Sequence, residues 1–212
     1  MKQKINGLYA ITPEWADTSK LLDAVRRALE ATTRVVQYRN KSGDVALQHE
    51  QASELLTLCR EFGVPLIIND NLRLADLIDA DGLHLGADDG SLKEARFILG
   101  PDKIIGVSCY ASLPLAIEAE IHGADYVAFG SFFASPTKPQ ATPAPISLLH
   151  EAKRRLNIPV VAIGGITLEN ATTLVQAGAD AIAVISALFD SKDIRATANE
   201  FNTLFQRPEH IQ

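Results

Sequence analysis

Asp70 and Asp89 each stand just past a short apolar run, and Arg39 and Lys41 alternate after another. Paired carboxylates suit Mg2+, which takes few protein ligands and completes its shell with water and substrate phosphate. Alternating basic residues that follow a strand point the same way, as a pyrophosphate clamp requires. Gln37, two residues earlier on the same face, can hydrogen-bond a heterocycle or a phosphate, and Lys138 adds a third cation. Gly164-Gly165 and Ile185-Ser186 close two further apolar runs. Glycines let a phosphate approach closely, and backbone N–H groups at a helix start supply donors to it. One anion site with a metal and one without point to two phosphorylated substrates.

Each feature also has an ordinary reading. Asp70 precedes Asn71-Leu72 and Asp89 precedes Gly90-Ser91, so either aspartate could cap a helix. Asp88 stands beside Asp89, and spacing alone does not choose between them. Two loop cations are commonly just solvated, and a double glycine commonly makes a tight turn. Convergence favours a site, because polar groups follow nearly every apolar run: Gln37 to Lys41, Asn69-Asp70, His84 to Asp89, Ser108, and Ser135 to Lys138. Cys109 lacks a convincing histidine partner and reads as packing. His84 lies on a strand and reads as a hydrogen-bonded interior residue. His49, His122, His150 and His210 read as surface, and Tyr9 and Trp15 as pocket wall or packing.

The elements that must position these groups are legible from periodicity. Short apolar runs at 8–11, 34–38, 66–68, 82–85, 104–107, 126–129, 160–163 and 181–185 read as strands. Amphipathic spacing marks helices at 18–30, from Ala52 to Phe62, and at 92–99, 113–121, 146–156, 168–177 and 194–205. Gly123-Ala124-Asp125 and Gly178-Ala179-Asp180 repeat one helix-stop-to-strand turn, echoed by Ala80-Asp81-Gly82. The strands are continuous apolar runs, as expected where both faces are covered. Eight strand–helix alternations predict an α/β fold, a single (β/α)8 TIM barrel, whose active site gathers at the C-terminal strand ends. An open doubly wound sheet is disfavoured, since it would collect polar groups at one switch point. The loop from Ser131 to Pro145 is the longest and reads as a mobile lid.

The 212 residues fit one domain, 1–212, with 207–212 a frayed tail. A hydrophobic content of 47% and a charged content of 22% are ordinary for a globular chain. A net charge of −6 without a basic tract argues against nucleic-acid or membrane-surface binding. Two cysteines, Cys59 and Cys109, are too few for a disulfide framework and read as reduced thiols. With neither a signal-peptide core nor a membrane-length apolar stretch, the expected compartment is the cytoplasm. A homo-oligomer is compatible with this reading.

As an ordered set, the motifs resemble the thiamine-phosphate synthase family. They comprise the Leu8 to Thr12 strand, Gln37-x-Arg39-x-Lys41, Asn69-Asp70, His84 to Asp89, Gly106-Val107-Ser108, Ser135 to Lys138, and Gly164-Gly165-Ile166. The resemblance implies joining of hydroxymethylpyrimidine diphosphate to hydroxyethylthiazole phosphate, with loss of pyrophosphate. It places Gln37, Tyr38, Arg39, Asn40, Lys41, Asn69, Ser108 and Lys138 on the pyrimidine diphosphate. Of these, Arg39, Lys41, Ser108 and Lys138 act on the leaving group. Asp70 and Asp89 would hold Mg2+, and Ser135, Pro136, Thr137, Gly165, Ile185 and Ser186 the thiazole phosphate. Ala87 and Ser135 depart from the family's usual Gln and Thr, and neither removes a charge from the clamp. Two rivals are a thiazole tautomerase, which needs no pyrophosphate clamp, and a non-catalytic thiamine-phosphate sensor.

Overall fold

Along every strand, alternate side chains face opposite ways, and that alternation builds two separate apolar layers. A computed structural model describes residues 5–86, 90–134 and 143–206. Its strands are β1 (Gly7–Ile11), β2 (Val35–Tyr38), β3 (Leu66–Asn69), β4 (Gly82–Leu85), β5 (Ile104–Tyr110), β6 (Tyr126–Phe129), β7 (Val160–Ile163) and β8 (Ala181–Val184). All neighbouring pairs are parallel, and β1 pairs with β8, closing the barrel. One layer fills the inside, with Tyr9, Val35, Ile67, Ile104, Tyr126, Val161 and Ala181 among its members. The other lies between barrel and helices and takes the alternate positions, such as Leu8, Val36, Leu66, Leu83 and Val127.

The helices are α1 (Thr18–Leu29), α2 (Val45–Glu61), α3 (Leu72–Leu77), α4 (Leu92–Leu99), α5 (Leu113–Ile121), α6 (Ser147–Arg155), α7 (Leu168–Gln176), α8 (Ser186–Phe189) and α9 (Ile194–Thr203). On α1, Leu21, Ala24, Val25, Ala28 and Leu29 are buried, the three-to-four spacing of one helical face. Asp17, Asp44, Ser112 and Asp193 accept N-terminal backbone N–H groups and so fix where four helices begin. Two short helices, α3 and α8, go beyond what periodicity marks, since six and four residues are too few for a repeating signal. Among the described residues, no helix is long and apolar enough to cross a membrane.

The Gly-Ala-Asp repeat has a structural cause at the N-terminal end of the barrel. Asp81 Oδ2 accepts from the backbone N–H of Leu66 at 2.9 Å, Asp125 Oδ2 from Ile105 at 2.8 Å, and Asp180 Oδ2 from Val160 at 2.8 Å. Each aspartate thereby ties the start of its own strand to the strand before it, at the end away from the polar rim. Gly123 and Gly178 take φ of +90° and +107°, which lets the preceding helix stop and turn into the strand.

Candidate active site

Gln37, Asn69, His84 and Ser108 occupy inward positions near the C-terminal ends of β2 to β5, four adjacent strands. Asn69 pairs in register with His84, and a register shift between Ser108 and Tyr110 kinks the end of β5 against β6. To one side, between the ends of β2 and β3 and the helices α2 and α3, a cleft of about 380 Å3 is lined by Tyr38, Lys41, Gln48, Asn69, Asp70 and Leu72 among others.

Asp70 is not a helix cap. Asn71 Oδ1 caps α3 by accepting from Leu74 N at 3.0 Å, which leaves the Asp70 carboxylate for the rim. Asp70 adopts φ of +61°, a left-handed conformation that aspartate tolerates better than most residues. Its N–H donates to the His84 carbonyl at 2.9 Å, and its Oδ2 accepts from Lys41 Nζ at 2.8 Å. The conformation is therefore held from two sides.

Arg39 and Lys41 do not share one direction as strand alternation predicts. Pairing of β2 stops at Tyr38, so the two-residue alternation ends before them. Arg39 reaches Glu14 in the loop after β1, while Lys41 reaches Asp70 beyond β3. The two cations thus flank the end of β2, each beside a carboxylate. Tyr38 faces α2, where its hydroxyl donates to Gln51 Oε1 at 2.9 Å and Asn40 Nδ2 donates to the same oxygen at 3.3 Å. Both brace the loop that carries Arg39 and Lys41. Burial pushes the Tyr38 hydroxyl up to about 12.

Inside the barrel, sequence reasoning missed a continuous chain of hydrogen bonds. Gln37 Nε2 donates to Tyr9 Oη at 2.8 Å, and Tyr9 Oη lies 2.7 Å from Tyr126 Oη. Tyr126 Oη lies 2.9 Å from His84 Nδ1, and His84 Nε2 lies 2.8 Å from Ser108 Oγ. Burial depresses His84 to about 4, with Asp70 opposing weakly, so the ring is neutral at pH 7. The Tyr126 ring stacks on His84 at 5.6 Å, and Gly106 makes room for it: a Cβ there would sit 2.0 Å from Tyr126 Cζ. The sequence signal was a glycine in a neighbouring strand, which says that something large sits inside without saying what. Cys109, on the outer face of β5, is pushed up to about 12 by burial and stays a thiol.

On the opposite arc, Gly164 and Gly165 follow β7 with φ of +101° and +63°. A Cβ on Gly164 would meet Ser131 Oγ at 2.0 Å, and one on Gly165 the Ala134 carbonyl at 2.4 Å. The glycines therefore admit the 131–134 segment, which is pinned by bonds from Phe132 N to Ile163 O and from Phe133 N to Gly164 O. Ile185 and Ser186 begin α8 beside them. Asp89, Ser135, Pro136, Thr137 and Lys138 lie outside the described residues, as do the centre of the expected lid and the tail from 207. Among the described residues, no three His, Cys, Asp or Glu side chains gather as a metal cluster.

A family model described as thiamine monophosphate synthase matches residues 8–188. A thiamine-phosphate synthase of Thiobacillus denitrificans is 61% identical, covering 94% of this chain and 94% of its own length. One of Nitrosospira multiformis is 53% identical, covering 97% of this chain and 88% of its own. The solved thiamine phosphate pyrophosphorylase of Pyrococcus furiosus matches with a TM-score of 0.83 at 36% identity, over 93% of this chain and 94% of that one. Barrel, polar rim and near-full-length likeness agree, and the chain belongs to the thiamine monophosphate synthase family.

Proposed function

We propose that the chain is a transferase that condenses 4-amino-2-methyl-5-(diphosphooxymethyl)pyrimidine with 4-methyl-5-(2-phosphooxyethyl)thiazole, giving thiamine phosphate and pyrophosphate. The supporting observation is a rim where Lys41, held 2.8 Å from Asp70, follows β2 at the same barrel end as the inward Gln37, Asn69, His84 and Ser108 of four adjacent strands. The bond from the pyrimidine's methylene carbon to the diphosphate oxygen breaks, and its electron pair leaves with pyrophosphate. The aminopyrimidine delocalises the positive charge, and the thiazole nitrogen supplies the pair for the new C–N bond.

Charge at the leaving group is the main demand of such a path, and preorganised cations meet it best. Arg39, Lys41 and Lys138 supply positive charge to the diphosphate, and Ser108 a hydroxyl. Glu14 and Asp70 hold the first two cations in place until phosphate oxygens replace them. Gln37 and Asn69 face the pyrimidine, while Tyr38 and Asn40 support the loop between. Ser135, Pro136, Thr137, Gly165, Ile185 and Ser186 take the thiazole phosphate. A lowered pKa makes His84 a weak base, and Cys109 lies on the outer face of β5, which supports a site that positions and stabilises rather than abstracts a proton.

Asp70 and Asp89 would hold Mg2+, and the Asp70 carboxylate at the rim offers the hard oxygen that this ion prefers. When bound, Mg2+ supplies further positive charge against the diphosphate. Mass analysis of product from both substrates tests the reading. Thiamine phosphate should form, fail with EDTA and return with excess Mg2+. Isomerisation of the thiazole phosphate alone, with no condensation, would overturn it in favour of a tautomerase.

A further inference from the structure

The hydrogen-bonded chain inside the barrel has a direction, which proton counting reveals. Gln37 gives an amide N–H to Tyr9 Oη. That NH2 group has no lone pair to offer, so the Tyr9 proton cannot return to it. Tyr9 is 1% exposed, and its other hydrogen-bond partner among the described residues is Tyr126 Oη. The Tyr9 proton therefore goes to Tyr126. Tyr126, fully buried, passes its own proton to His84 Nδ1. A neutral imidazole that accepts at Nδ1 carries its hydrogen on Nε2, and that N–H donates to Ser108 Oγ. Ser108 thus receives one hydrogen bond and keeps its own proton to give. Running the chain backwards would strand the Tyr9 proton in the core without an acceptor, which native interiors avoid.

We propose that His84 is a positioning residue: held by Tyr126 as its Nε2–H tautomer, it leaves the Ser108 hydroxyl proton free to donate to the diphosphate in the mouth. Gln37, two strands away on β2, sets that direction. The identity of the acceptor rests on the proposed function; the direction of the chain does not. Two residues that face one substrate are thereby coupled through the protein: a change from donor to acceptor at Gln37 must reverse the hydroxyl at Ser108.

The first test needs no substrate. Nitrogen-15 NMR of histidine-labelled protein, with His84 assigned by its loss in His84→Gln, should show the Nε2–H tautomer. Gln37→Glu replaces the donor by a carboxylate that accepts from Tyr9, so the ring should switch to Nδ1–H. An Nδ1–H ring in the unaltered protein, or indifference to Gln37→Glu, would overturn the proposal.

The second test is kinetic. Tyr126→Phe should lower kcat/KM for the pyrimidine diphosphate by roughly tenfold, the scale of one hydrogen bond to a charged group. In a Ser108→Ala background the same change should cost less than about twofold, because coupled sites are not additive. Equal losses in both backgrounds would overturn transmission to Ser108. Failure of the condensation itself leaves the tautomer result to stand or fall separately.

Discussion

Asp70 combines three demands that few residues meet together. Its backbone is left-handed, its N–H is tied to β4, and its carboxylate faces Lys41 at the rim. Asparagine tolerates the same conformation, so Asp70→Asn removes charge without backbone strain. Turnover should fall by at least about a hundredfold, the scale of losing one preorganised charge, while urea unfolding stays within about 0.5 kcal/mol. Asp70→Ala should lose a further ~1 kcal/mol of stability from the left-handed backbone. Full turnover in the asparagine variant would remove Asp70 from the machinery. Gln37, Asn69, His84 and Ser108 were legible because a polar residue that interrupts or ends an apolar run seldom serves packing. Tyr9 and Tyr126 were not, because a tyrosine inside such a run reads as bulk and its hydroxyl is invisible to periodicity. Glu14 was hidden for another reason: its partner, Arg39, is distant in sequence and meets it only once the barrel forms.

Among the elements, the strands and most helices followed from repeated apolar runs, with boundaries shifted by one to three residues at several ends and, at α2, a start at Val45 rather than Ala52. The exceptions were elements too short to repeat a pattern. In α3, Asn71 rather than Asp70 is the cap, a one-residue distinction that decides whether Asp70 is free for chemistry. The Gly-Ala-Asp repeat was visible, but its purpose required the fold: each aspartate secures a backbone N–H of the preceding strand at the barrel's other end. Asp180→Ala leaves the Val160 N–H without that acceptor and should cost about 1–3 kcal/mol. Since the N-terminal end of a barrel bears on stability rather than catalysis, kcat of the folded variant should change less than about twofold. Denaturant midpoints beside initial rates check both halves. A large loss of kcat at unchanged stability would contradict this division of labour.

The whole molecule carries its polar network inside a closed sheet, which has a consequence at high pH. Burial raises Tyr9 and Tyr126 well above their ordinary value near 10, and Tyr38 to about 12. The folded state keeps these protons where the unfolded chain would release them. Their stabilising contribution is therefore complete below about pH 10 and is lost as pH rises from there through the folded values. Each tyrosine should lower stability by up to about 1.4 kcal/mol per pH unit in that range. Urea midpoints should hold level from these groups between pH 8 and 9 and drop above 10, less steeply in Tyr9→Phe. An identical decline in that variant would remove Tyr9 as a contributor. The central claim concerns chemistry at the rim, and pyrophosphate release by the purified chain tests it most directly. With both substrates and Mg2+, one pyrophosphate should appear for each thiamine phosphate, and omitting either substrate should abolish it. Pyrophosphate released without the thiazole phosphate at the full rate, or none with all components present, would contradict the account.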